Sequence, residues 1–111
     1  MAIVGALVFQ FRDMEALLQE HLDDFGELLP HVLMARITER SVARFISDPS
    51  DAGIRDLLEF LERLFESGSV EERELLGTSF LENLPGVGED GAGILDVLGP
   101  SLQEHIIRFE L

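Results

Sequence analysis

Ile54-Arg55-Asp56-Leu57-Leu58-Glu59-Phe60-Leu61-Glu62-Arg63-Leu64-Phe65 is the stretch that decides the fold class. Ile54, Leu57, Leu58, Leu61, Leu64 and Phe65 follow one another at steps of 3, 1, 3, 3 and 1, which places them on one face of an α-helix. Glu59, Glu62, Arg63 and Glu66 fall on the opposite side, so that side is expected to face solvent. Just upstream, Asp48-Pro49-Ser50-Asp51 reads as a stop-and-start signal. Asp48 can cap, Pro49 can take the first helical position, and Asp51 can close the first turn. Gly68 supplies the stop.

The helical period continues in both directions. Phe11, Met14, Leu17, Leu18, Leu22 and Phe25 share a face, and Gly26 ends that helix. A second helix is expected to start near Pro30, whose fixed φ and missing N–H suit a first turn. Its apolar face centres on Ala35, Val42 and Ile46, flanked by Met34 and Phe45. Ser69 and Glu72 have capping-box spacing ahead of a helix in which Leu76, Phe80 and Leu84 stack every four residues. Pro85-Gly86 breaks that helix. A short helical turn over 94–98 and a last helix carrying Leu102, Ile106 and Phe109 complete the chain. No alternating strand pattern occurs. The expectation is an all-α single domain over residues 1–111, a compact bundle or short α–α stack of about five or six amphipathic helices. Leu57, Leu58, Leu61, Phe80 and Ile106 are its expected core residues.

Charge is the most unusual property. Asp and Glu number 22 against 8 basic residues, giving −14, and every basic residue is Arg. Such a chain repels nucleic-acid phosphates and anionic membrane surfaces, so neither is an expected partner. It attracts cationic protein surfaces and speeds encounter with them. Residues 30–47 are the exception, with Arg36, Arg40 and Arg44 against Glu39, hence +2. That stripe fits either pairing with carboxylates of neighbouring helices or a site for a carboxylate or phosphate. The apolar run over residues 1–9 is too short for a bilayer, which needs about 20 residues. It also lacks the basic start of a secretion signal. A buried terminal segment, helical or briefly extended, is expected there, with joining of two copies into a homodimer as an alternative use.

No constellation points to catalysis, so an enzyme is not expected. The chain has no Cys, which removes disulfides, thiolate metal sites and cysteine nucleophiles and fits a cytoplasmic setting. His21, His31 and His105 form no pair at ligand spacing, so neither a structural metal nor a cofactor is expected. Gly86-Val87-Gly88-Glu89-Asp90-Gly91 has the letters of a dinucleotide fingerprint. A helix precedes it where a strand is required, and Glu89 and Asp90 would repel a pyrophosphate. None of the serines sits in a nucleophile-elbow context.

Three runs carry a resemblance: Glu27-Leu28-Leu29-Pro30-His31, Phe60-Leu61-Glu62, and Ser79-Phe80-Leu81-Glu82-Asn83-Leu84. With Leu98-Gly99-Pro100 they resemble the DUF7674-like proteins, small bacterial helical proteins of undetermined function. The resemblance covers about residues 27–102 and implies no catalytic residues. Small acidic helical proteins of this sort are similar to immunity proteins, which neutralise toxins. The expected function is thus a cytoplasmic protein-binding module, an acidic inhibitor of the immunity or antitoxin type. The alternative is a structural or self-association module. The expected partner surface comprises Glu20, Asp23, Asp24 and Glu27, crowded in one stretch, and Glu59, Glu62 and Glu66 on the solvent face of another. Its expected partner is a basic protein.

Overall fold

The computed structural model describes residues 2–109, and the side chains of residues 4–107. Among them the chain forms helices α1 (Ala2–Gln10), α2 (Met14–Phe25), α3 (Pro30–Ser47), α4 (Ala52–Ser67), α5 (Val70–Leu75) and α6 (Pro100–Phe109). A π-helical turn (Leu76–Phe80) and a 3-10 turn (Leu81–Asn83) prolong α5, and a second 3-10 segment (Ala92–Val97) precedes α6. The result is a compact helical bundle, as the periodicity implied. α3 lies at its centre against α2, α4, α5 and the π-helical turn, while α4 packs along α6. Leu57, Leu58, Leu61 and Phe80 are core residues, and Ile106 packs against them half-buried. The side chain of Phe109 and those of residues 1–3 lie outside the described residues.

The terminal apolar run is helical. α1 bears no charged residue, and Val4 and Leu7 reach into the chain's own core while Phe9 is 81% exposed. The helix after it starts at Met14 and not at Phe11, which sits in the corner between α1 and α2. Gly26 ends α2 as expected, with φ at +71° and its N–H on the Leu22 carbonyl.

α3 begins at Pro30, but its buried face is turned from the expected one. Leu33, Met34, Ile37, Thr38, Ser41 and Phe45 are buried, whereas Ile46 is half-exposed. The reason is that two polar residues occupy core positions. Thr38 and Ser41 donate to the carbonyls of Met34 and Ile37 at 2.8 Å each, so their hydroxyls need no water.

α4 starts three residues later than Pro49 suggested. Asp51 is its N-cap, accepting from the amides of Gly53 and Ile54 at 2.8 and 3.3 Å. Asp48 instead closes the preceding turn through the Ser50 amide and hydroxyl. Ser69 heads α5 with both capping-box bonds made, Glu72 N–H to its hydroxyl and its own N–H to the Glu72 carboxylate. Beyond α5 the π-helical turn adds a residue to the helical repeat. Leu75, Leu76, Phe80 and Leu81 are therefore the buried set, and Leu84 is only half-buried. The glycine-rich loop after Pro85 folds back on itself, the Glu89 carboxylate accepting from the Gly86 amide at 3.0 Å.

Candidate partner-binding surface

Seven carboxylates were expected to form one recognition surface, and the fold gives them different surroundings. Glu20 and Asp24 both reach Arg36 of α3, at 2.7 and 3.6 Å. Glu59 lies 3.5 Å from Arg63 on its own helix. Asp23 is exposed and accepts from Gln19, and Glu27 and Glu66 are exposed. Asp23, Glu27 and Glu66 enter no ion pair among the described residues.

Glu62 is the correction. It is 6% exposed and points inward, where its two oxygens accept from the amides of Ser101 and Leu102 at 2.8 and 3.0 Å. These are the first N–H groups of α6, because Pro100 has none to offer. An anion there also meets the positive end of the helix dipole. Glu62 lies one residue past Leu61 and four past Leu58, on the flank of the α4 stripe, so periodicity alone assigned it to solvent. A signal was present: Gly99 ahead of Pro100 has no side chain with which to cap α6, so the acceptor has to come from elsewhere. Gly99 is required for closeness and not for its φ. A Cβ at that position would stand 2.4 Å from Cγ and Cδ of Glu62.

A second polar contact also escaped the sequence. His31 Nδ1 and the Ser79 hydroxyl share a hydrogen bond, with the Thr78 hydroxyl 3.3 Å from the same nitrogen. Ser79 is buried, and its carbonyl accepts from Thr38 and Asn83. The contact ties the start of α3 to the π-helical turn. His21 is structural as well. It is fully buried, and its Nε2 accepts from the Leu29 amide at 2.9 Å, which sets the α2–α3 corner. Nδ1 therefore carries the ring hydrogen and, in its buried position, finds no hydrogen-bond partner among the described residues.

Two members of the arginine stripe serve the fold. Arg36 joins α3 to α2, and Arg44 joins it to Asp13 and Asp51 at 2.9 and 3.1 Å. Arg40 is exposed beside a hollow of about 470 Å³ that Arg44 also lines. Partial burial of Asp51 would by itself raise its pKa. Hydrogen bonds from Arg44, Gly53 and Ile54, with the Arg44 charge, outweigh that and hold it below the ordinary carboxylate value. A depressed folded pKa means that ionised Asp51 stabilises the fold above its unfolded value of about 4. That contribution fades as pH falls through the folded value. Asp51→Asn should therefore be less stable than the parent at neutral pH, with the gap closing in acid. Urea midpoints measured from neutral to roughly pH 3 check this, and a constant gap would contradict it.

A larger concavity than that hollow lies between the end of α4, α5 and the start of α6. This open groove has a volume of about 740 Å³ and is lined by Phe65, Glu66, Val70, Arg73, Glu74, Ser101, Glu104 and His105. Phe65 and His105 meet edge to face in its floor, with ring centres 5.2 Å apart. Val70 is 79% exposed at its rim. Among the described residues no group of three or more His, Cys, Asp or Glu could hold a metal ion. No described helix is long and apolar enough to cross a membrane.

Fold and surface together define a small acidic helical bundle whose polar latches hold helices in place. Residues 4–110 match the family described as a domain of unknown function (DUF7674), and the chain belongs to that family. No curated protein and no solved structure matches it. The four runs that carry the resemblance meet in pairs. His31 of the first touches Ser79 of the third, and Glu62 of the second packs on Gly99 and caps the helix that follows it.

Proposed function

We propose that this chain is a protein-binding module that captures a cationic protein and thereby inhibits or sequesters it, in the manner of an immunity protein or antitoxin. The observation that carries this reading is the net charge of −14 in a chain of 111 residues. Several carboxylates, Asp23, Glu27, Glu66 and Glu74 among them, are exposed and outside any described ion pair. A basic protein would be steered toward such a surface before contact. Exposed Phe9 on uncharged α1 favours a second reading, self-association through that helix. The mass of the pure protein in solution, monomer or dimer, separates the two.

Steering makes a kinetic prediction. The screening length falls from ~10 Å at 0.1 M salt to ~3 Å at 1 M, so association with a partner captured from native lysate should slow steeply as salt rises. Reversal of Asp23, Glu27 and Glu66 to Lys should slow association roughly tenfold and change dissociation far less. Glu62 is left out of the reversal, because it is buried and caps α6. Surface plasmon resonance measures both rates. Association indifferent to salt and to the reversal would contradict the reading.

A further inference from the structure

We propose that the groove between α4, α5 and α6 is the docking site for a partner segment that carries an apolar side chain flanked by lysines or arginines. This rests on the capture of a cationic protein proposed above and names the feature that the site selects. The floor and rim supply the apolar part. Phe65 lies in the groove, and Val70 is 79% exposed at its edge. A solvent-facing Val beside a cavity of about 740 Å³ gives an apolar side chain somewhere to be buried.

The same walls supply the charge. Glu66 and Glu74, both exposed and outside any described ion pair, line the groove, and Arg73 is the one Arg among its described lining residues. That Arg, Arg73, turns a guanidinium N–H onto the Glu66 carbonyl at 3.0 Å, so it braces α5 against α4. A cationic segment thus meets carboxylates around an apolar centre, and an anionic one is repelled. The walls are also fixed in advance. The complete capping box at Ser69 and the Gly68 amide on the Leu64 carbonyl set the α4–α5 corner, and the Glu62 cap seats α6 opposite. Preorganised walls lose little freedom when a segment binds.

The test uses the full chain and two synthetic peptides of equal charge. One carries leucines flanked by lysines, and in the other serines replace the leucines. Both should bind, since both are cationic. The leucine peptide should bind at least tenfold more tightly and shift the amide resonances of Phe65, Val70 and Ser101. Val70→Ser should erase that preference without adding charge, and its exposure makes it tolerable to the fold. Glu74→Lys should weaken both peptides. Equal affinity for the two peptides, or a leucine preference that survives Val70→Ser, would overturn the groove while leaving electrostatic capture standing. Binding of neither peptide would overturn both.

Discussion

Glu62→Ala is expected to destabilise the fold by about 3–5 kcal/mol, since it removes two charge-assisted hydrogen bonds and leaves a buried gap. The amides of Ser101 and Leu102 would lose their acceptor, and Pro100 before them offers no N–H to rearrange. Total stabilities of small domains are roughly 5–15 kcal/mol, so this one carboxylate carries a large share. Glu62→Gln should fall between the parent and alanine. It keeps the volume and one carbonyl oxygen, but it turns an NH2 group toward an amide N–H. Urea denaturation of the three proteins checks the order. Equal midpoints would mean that α6 is capped by something else.

Phe80→Ala is the second large expectation, at about 3–5 kcal/mol, the usual cost of emptying a buried aromatic site. Phe80 is fully buried at the end of the π-helical turn, where α3 packs against it. A loss of that size lowers the melting temperature by roughly 15 °C or more in a domain near 100 residues. Phe80→Leu should recover most of it, because the site keeps an apolar side chain of similar bulk. Thermal unfolding followed by circular dichroism measures both variants. A shift of only a few degrees for the alanine variant would show that the π-helical turn collapses around the gap.

What the sequence discloses depends on whether burial follows hydrophobicity. In α4 it does along the main stripe, and Ile54, Leu57, Leu58 and Leu61 are buried as their spacing demands. In α3 it does not. Thr38 and Ser41 are buried with their hydroxyls satisfied along the helix, which turned the apparent apolar face toward Val42 and Ile46. The π-helical turn is illegible for another reason. One extra residue changes which leucines face inward, and no residue type announces it. Glu62 was assigned to solvent, and the burial of Ser79 was not foreseen, because a buried polar group is defined by a partner distant in the chain. Glu62 meets Ser101 and Ser79 meets His31 only once the bundle has closed. The groove is of the same kind. Phe65 and the cap at Ser69 were readable one by one, but His105 across from them comes from α6.

The runs that carry the resemblance thus include residues that latch helices together, Glu62 and the His31–Ser79 pair among them. The groove is lined by residues outside those runs, among them Phe65, Val70, Arg73 and Glu74.

A double-mutant cycle on Gly99 and Glu62 tests the latch most directly. Gly99→Ala alone should cost roughly 3 kcal/mol, because a Cβ there would stand 2.4 Å from the Glu62 side chain and force it off the amides it caps. In a Glu62→Ala background that side chain is gone, and Gly99→Ala should cost about 1 kcal/mol or less. The coupling between the two positions should then be about 2 kcal/mol. Costs that simply add, with no coupling beyond about 0.5 kcal/mol, would show that Glu62 does not hold the start of α6.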